Sequence, residues 1–299
     1  MHALESPPVP QEKSSSLDVS CVILTWNSLE FLDRLFGSLE GAFNASGLRR
    51  EYIVIDNGST DGSLEAMARL RESGLPLTVV PLGSNTGTTF SRNVGLRIAK
   101  GNYVAILDSD IEVQQENSFE LLLDRLKNQE RAGIVSPRLQ FASGNYQKSA
   151  DTFPTLGRKI ARYFYLRSIE RREAESSFGN CVRAQEVDYT CSAFWLFSRE
   201  LITRVGLLDE KIFYAPEDVD YCLRTWLSGR TVLIDGAVTV IHHAQEISRK
   251  GVFSKSLWLH AFGLLYFFRK HRFVLSSKRV QRRIDQIMND QSTQEPNLI

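Results

Sequence analysis

Over its first 110 residues this chain alternates between short β-leaning apolar runs and apolar residues at helical spacing, a regularity that few architectures accommodate. Val19-Ser-Cys-Val-Ile-Leu24 ends at Thr25-Trp26-Asn27-Ser28, after which Phe31, Leu32, Leu35, Phe36 and Leu39 recur at the helical period. Asn27 or Ser28 is placed to cap that helix, with Glu30 in its first turn. Glu51 to Asp56 is a second run, Asn57 to Gly62 a turn, and Leu64 to Leu70 a helix. Leu77 to Val80 is a third run, and Phe90, Val94 and Ile98 mark one helix face. Tyr103 to Leu107 is a fourth run, and it leads straight into Asp108-Ser109-Asp110. Strands alternating with helices predict a parallel sheet with right-handed crossovers.

Three of these runs end on polar residues, at Thr25-Trp26, at Asp56 and at Asp108-Ser-Asp110. In a parallel sheet these ends share one edge, the carboxyl edge, where open α/β sheets bind ligands. Side chains of a strand alternate faces, so Asp108 and Asp110 are able to point the same way. Two carboxylates at a strand exit suit a hard divalent cation, which is usually held by one or two acids plus substrate phosphate oxygens. A turn with two solvated acids is the plainer alternative, since Asp is a common turn residue. The first turn is Thr-Trp-Asn-Ser. It carries neither the glycine fingerprint of a dinucleotide site nor a P-loop, which excludes those two readings.

The 299 residues include 36 basic and 35 acidic ones, a formal net charge of +1. Such a balance gives no global field for holding nucleic acid, so that partner is disfavoured. Cys21, Cys181, Cys191 and Cys222 lack the paired short spacing of a zinc site and sit in or beside apolar runs. Reduced buried thiols in a cytoplasmic chain are expected. Residues 1–17 are rich in Pro, Ser and Glu and read as a disordered tail, not a signal peptide or anchor. No apolar run approaches the roughly twenty residues a spanning helix needs.

Beyond Glu112 the period changes. A helix is expected over Phe119 to Leu126, a strand over Ile134 to Phe141, and a mixed strand over Val187 to Phe197. Asp151 to Arg183 is basic, aromatic and without a readable period. Pro216 to Leu227 reads as a helix opened by Glu217 and Asp218, with Val219, Leu223 and Trp226 on one face. Two further strands, Thr231 to Ile234 and Val238 to His243, close the region. In a strand His242 and His243 point to opposite faces, so one at most faces the acids. His242 is the one assigned there, while His2, His260 and His271 show no partner pattern. Trp195 and Trp226 read as core. Leu257 to Phe268, followed by Arg269-Lys270-His271-Arg272, fits an interfacial helix and equally a docked one.

Taken together, several motifs resemble family 2 glycosyltransferases, particularly bacterial rhamnosyltransferase-like members, from about Val19 to about His243. They are Ile-Leu-Thr25-Trp26-Asn27-Ser, Val-Ile-Asp56-Asn-Gly-Ser-Thr-Asp61-Gly, Asn85-Thr-Gly87 with Ser91-Arg92-Asn93-Val-Gly95, Leu-Asp108-Ser109-Asp110, and Phe213-Tyr-Ala-Pro-Glu217-Asp218-Val-Asp220. The resemblance implies a Rossmann-like nucleotide-diphospho-sugar transferase (A-type glycosyltransferase) α/β fold. Its central sheet is mostly parallel and flanked by helices, with C-terminal helices added. Residues 18–250 form the transferase domain, divided into a nucleotide-binding half (18–115) and an acceptor-binding half (116–250). Residues 251–299 are a helical extension.

The resemblance also implies roles. Thr25, Trp26 and Asp56 line a base pocket, Asp56 accepting from a pyrimidine N–H, with Asn27 and Ser109 in the same donor site. Asn85, Arg92 and Asn93 lie near ribose and phosphates. Asp108 reaches the ribose or a metal-bound water, and Asp110 and His242 face a Mg2+ or Mn2+ ion with the diphosphate. Asp218 is the general base, with Glu217 beside it. The implied partners are a nucleoside-diphosphate sugar and a carbohydrate or lipid-linked acceptor, with peripheral contact at the inner membrane face open through the C-terminal segment. Two departures fall on the acceptor side: Ser192-Ala193 where many relatives have Gly-Ala, and Leu207-Leu208 where Gly-Phe is usual. Inverting sugar transfer needs an aligned acceptor hydroxyl, a base, and neutralisation of the leaving diphosphate. Acids in the first turn of a helix also occur simply to complement its dipole. A non-catalytic nucleotide-sugar-binding protein and a sugar-phosphate nucleotidylyltransferase are the alternatives. The latter lacks its glycine-rich signature here.

Overall fold

The structure, a computed structural model, describes residues 17–158, 183–243 and 255–294, together with residues 165, 168, 169, 171 and 172. The expected tail, Cys181 and most of the unreadable stretch after Asp151 lie outside the described residues. The first half has the predicted alternation: β1 (Val19–Thr25), α1 (Leu29–Ser46), β2 (Arg50–Asp56), α2 (Ser63–Glu72), β3 (Leu77–Pro81), α3 (Thr88–Ile98) and β4 (Tyr103–Asp108). These four strands pair in parallel in the order β3-β2-β1-β4.

The second half is mixed. It comprises β5 (Ile111–Val113), α4 (Ser118–Asn128), β6 (Ala132–Gln140), β7 (Ala150–Asp151), β8 (Ala184–Glu186), β9 (Tyr189–Thr190), β10 (Phe194–Ser198), α5 (Arg199–Val205), α6 (Glu217–Leu227) and β11 (Thr231–His242). Strand β10 inserts antiparallel between β4 and β6, and β11 runs parallel to β6 but antiparallel to β5 and β8. The expected strand over Val187 to Phe197 is broken, because β9 leaves the main sheet to pair with β7. The two short strands expected after Thr231 are one, joined through an irregularity between Asp235 and Thr239. There the buried Asp235 carboxylate accepts the Ala237 N–H at 3.0 Å and the Arg125 Nε–H at 2.9 Å, so the ladder is bent without leaving charge unpaired.

Alternation along each strand divides the core in two. Cys21 and Ile23 of β1, Leu107 of β4 and Leu196 of β10 pack with Leu35, Phe36 and Phe43 of α1 and Phe119 and Leu122 of α4. Their neighbours Val22, Ile106, Trp195 and Phe197 pack on the opposite face with Leu96 of α3 and Val219, Tyr221 and Leu223 of α6. Trp195 and Trp226 are core, as expected. Cys21, Cys191 and Cys222 are free thiols, and burial pushes the Cys191 thiol up to about 12.

Two helices complete the described chain, α7 (Lys255–His271) and α8 (Lys278–Gln294). Phe267 and Phe268 of α7 and Val280 and Ile284 of α8 join the second core, so the extension docks through one face. Gly263 meets the loop before α6, where any Cβ would overlap the Ala215 carbonyl oxygen. No helix among the described residues is long and apolar enough to cross a membrane.

Candidate active site

Parallel pairing sets Thr25 opposite Asp56, and Leu24 opposite Asp108, so the ends of β1, β2 and β4 lie on one edge. The strand order reverses between β1 and β4, and a crevice opens outside the carboxyl ends at such a point. The chain then turns through Ser109 and Asp110 into β5, whose antiparallel partner is the last part of β11. That pairing brings His242 to Asp110, with Nε2 3.2 Å from Oδ1. Asp108, Asp110 and His242 each offer a ligand atom within 4.8 Å of the others. Two carboxylates and an imidazole fit a divalent ion of the Mg2+ or Mn2+ kind. The His242 Nδ1 is 3.1 Å from the Gln147 Oε1, an arrangement that leaves Nε2 toward the acids. Burial lowers the tendency of His242 to protonate, but the hydrogen bond and charge of Asp110 outweigh it and raise its pKa. His243 points elsewhere, to Glu112 at 2.9 Å and the Phe31 ring.

A second group lies at the β1 and β2 ends. Asp56 is fully buried; its Oδ2 accepts the N–H groups of Gly58 (3.2 Å) and Ser59 (3.1 Å), while Oδ1 and the Thr25 hydroxyl have no partner. Buried polar groups without a partner are rare and costly. The Asn57 side chain accepts the Thr86 N–H at 2.8 Å and donates to the Asn85 side-chain Oδ1 at 3.2 Å, which ties the β2 turn to the loop before α3. Asn85 itself is exposed, as is the Trp26 indole.

Asn27 and Ser28 both shape the turn that leads into α1. Asn27 has a left-handed backbone (φ 51°) and accepts the Thr60 N–H at 2.8 Å. Ser28 occupies the cap position of α1, yet its hydroxyl pairs with that of Ser109 at 2.7 Å. The Leu29 N–H goes instead to Asp61, at 2.9 Å, a carboxylate supplied by the turn after β2. The expectation that Asn27 or Ser28 caps α1 holds for Ser28 by position, although its side chain makes no cap hydrogen bond.

Arg92, projecting from α3, is 2% exposed and joins the acid cluster to the head of α6. Its Nη2 donates to Asp108 at 2.6 Å, and its Nη1 to the Ser192 hydroxyl at 2.6 Å and to Glu217 at 3.1 Å. Ser192 in turn donates to Glu217 at 3.1 Å. Burial and the neighbouring Asp218 charge push Glu217 up to about 8, with Arg92 pulling the other way. Asp218 is only half-buried and accepts the Val219 N–H at 2.8 Å. Just before these acids Phe213 and Tyr214 stand exposed, held by the Thr88 N–H on the Phe213 carbonyl at 2.7 Å. Gly87 has φ 88° and lies so close that a Cβ would overlap that same carbonyl oxygen.

Asn93 stays outside both groups. Its amide donates to the Leu208 carbonyl and to Glu210, each at 2.9 Å, and accepts the Leu208 N–H at 3.0 Å, which fixes the Leu207-Leu208 loop on α3. His271, which showed no partner pattern in the sequence, is likewise corrected. It lies 2.8 Å from Asp220, which is 1% exposed and also meets Lys270 at 2.7 Å and Arg224 at 2.9 Å. Gln147 and Ser192 are the site residues that motif reading did not assign. Only the departure at Ser192 gave a signal.

An open sheet with an acid-and-histidine cluster outside its parallel strands defines a ligand-binding α/β protein of the doubly wound kind. Residues 20–206 match the family model described as Glycosyl transferase family 2, and the chain belongs to that family. Dodecaprenyl-phosphate galacturonate synthase of Rhizobium johnstonii is 25% identical over 241 residues, covering 79% of this chain and 63% of that protein. Cholesterol galactosyltransferase of Borreliella burgdorferi is 26% identical over 222 residues, covering 72% and 56%. The chain thus spans less than two thirds of the length of these two relatives. In fold it is similar to a mannosyltransferase from Pyrobaculum calidifontis in complex with GDP-Man and Mn2+ (TM-score 0.59, 17% identity, 94% of this chain and 77% of that one). The fold is that of the A-type glycosyltransferases, with a mixed central sheet flanked by helices.

Proposed function

We propose that this chain transfers a sugar, with inversion, from a nucleoside-diphosphate sugar to a hydroxyl acceptor in polysaccharide or glycolipid synthesis. The observation that carries the reading is the continuous chain of contacts from Asp110 and His242, through Asp108 and Arg92, to Glu217 beside Asp218. It supports a reading in which a diphosphate site and a base share one wall of one crevice. Asp110, His242 and Asp108 would hold Mg2+ or Mn2+, and such an ion, when bound, neutralises the charge of the departing diphosphate. The unpartnered Asp56 Oδ1 and Thr25 hydroxyl receive the nucleobase edge, with Trp26 covering it. Asn85 and Ser109 border the ribose, and Asn27 shapes the turn that faces it.

The base is Asp218 rather than Glu217. Burial and the neighbouring Asp218 charge push the Glu217 carboxyl up, and its Oε1 is already engaged by Arg92 and Ser192, so it is the less available proton acceptor. Asp218 sits at a helix N-terminus, where the backbone dipole favours an ionised acid. It takes the acceptor proton as the hydroxyl oxygen attacks the anomeric carbon. Phe213 and Tyr214 offer aromatic surface to the acceptor. That acceptor is a carbohydrate or a lipid-linked sugar or alcohol. The names of the relatives, a dodecaprenyl-phosphate enzyme and a cholesterol enzyme, favour the lipid-linked case and a peripheral position at a membrane.

The test is Asp218→Asn, assayed for transfer and for nucleotide affinity together. A base acts in the transition state and holds the donor little, so turnover should fall by at least about a hundredfold while nucleoside diphosphate affinity is retained. Near-normal transfer by this variant would remove Asp218 from the mechanism. Release of free nucleoside diphosphate from a panel of donors separates the reading from a non-catalytic binding protein.

A further inference from the structure

Helix α7 is apolar on two opposite sides, and the core contacts among the described residues involve only one of them. Its inner side carries Gly263 against Ala215, the buried Phe267 and Phe268, and the Lys270 and His271 contacts to Asp220. Its outer side carries Trp258, Phe262 and Leu265 at positions i, i+4 and i+7, exposed by 56%, 63% and 67%. The Trp258 and Phe262 rings lie 6.2 Å apart, a contiguous surface rather than scattered residues. Arg269, four residues further on, continues the same stripe and is exposed. Past the helix end Val274 and Leu275 are exposed too, and the Val274 carbonyl accepts the N–H of the exposed Leu156 at 3.0 Å. A helix apolar all round is one whose second side expects an occupant.

Charge identifies the occupant. Between Lys255 and Asp290 the sequence has eight Lys and Arg against two Asp, in a chain whose net charge is only +1. Arg269, Arg272, Lys278, Arg279, Arg282 and Arg283 are exposed. We propose that the outer side of α7, with the loop at Val274 and Leu275, is a docking surface for a bilayer bearing anionic headgroups. Trp, Phe and Leu enter the acyl boundary while the flanking cations meet the headgroups, the division of labour found in interfacial helices. A second copy fits less well, because a two-fold contact would bring this cationic surface against itself. The proposal rests on the acceptor reading above in one respect, that a lipid-linked hydroxyl arrives there. Lys270 on the inner side bonds both Asp209 and Asp220, so the docked helix is the one that holds the head of α6, beside Asp218.

The experiment uses the full chain with vesicles of phosphatidylcholine alone or mixed with phosphatidylglycerol, at low and high ionic strength. Binding should require the anionic lipid, weaken with salt, and drop at least about tenfold in Phe262→Glu/Leu265→Glu, which places two repelled charges in the strip. Brominated lipid should quench wild-type fluorescence, and quenching should diminish in Trp258→Phe. Wild type binding neither vesicle, or binding both equally and no better than the Glu variant, would overturn the proposal. So would a concentration-dependent dimer that Phe262→Glu dissociates, which would assign the surface to a second copy. Calorimetry of nucleoside diphosphate with Mn2+ runs alongside on every variant. Wild type that binds nucleotide but neither vesicle sinks the surface alone, whereas a Glu variant that loses vesicle binding and keeps nucleotide binding is the expected result. Lost nucleotide binding in the wild type sinks the functional reading and leaves the surface standing.

Discussion

Replacing Asp220 by Asn should destabilise the protein in a pH-dependent way, because this carboxylate is the buried anion on which Arg224, Lys270 and the His271 ring converge. Burial alone would push its carboxyl up, but His271, Arg224 and Lys270 together hold it at about 2, below the ordinary 3.8. A depressed carboxyl contributes stability that is present above the unfolded value and lost as pH falls through the folded one. The difference corresponds to roughly 2 kcal/mol at neutral pH, of which about half is gone by pH 3. Asn keeps the shape and removes the charge, so one amide N–H faces donors where an oxygen accepted them. Breaking a buried pair in this way costs about 3 to 5 kcal/mol when a partner charge is stranded. The lower part of that range is expected, because Lys270 keeps Asp209 and Arg224 keeps the Val205 and Leu207 carbonyls. Urea unfolding of both proteins between pH 7 and pH 3 measures the effect. The gap between them should narrow as the medium is acidified. A gap of constant size across that range would refute the assignment of Asp220 as an ionised hub and leave only its packing.

Removal of the divalent ion by a chelator, or Asp110→Ala, should weaken nucleoside diphosphate binding and transfer together. Retained affinity with unchanged metal dependence in calorimetry would show that the cluster with His242 is not the metal site. Asp56→Ala should reduce nucleotide affinity by at least about fivefold, since one buried acceptor is worth roughly 1 to 3 kcal/mol, while affinity for inorganic diphosphate stays the same. Equal loss for both ligands would place the effect in the fold of the β2 turn.

The parts of this protein that could be read from sequence are those fixed by local period. Strands β1 to β4 and their helices arise from apolar spacing, and with them the position of Asp56 and Asp108 at strand ends. The second half resisted because its strands change direction. Nothing in Phe194 to Ser198 says that this run will enter the sheet antiparallel between β4 and β6, yet that insertion puts Ser192 beside Arg92. His271 gave no signal for the same reason, since its partner Asp220 lies 51 residues away, on a different helix. Asn93 sits next to Arg92 in one motif, but successive helix residues face different ways, and it serves the loop at Leu208 instead.

Arg92 is the group through which these long-range contacts become a single site. A guanidinium has a planar fork of donors that no ammonium reproduces, and here the fork is divided between Asp108 on one side and Ser192 with Glu217 on the other. Burying that cation is tolerable only because two acids share it. One arm fixes a carboxylate of the candidate metal cluster, and the other fixes the acid next to the candidate base. The spacing between the two is therefore set by a rigid group rather than by a loop. Glycine at position 192 would leave Arg92 and Glu217 one hydroxyl short. Ser192 thus reads as a local addition to the bridge, and it places the departure from the family pattern next to the acids rather than at the edge of the acceptor side.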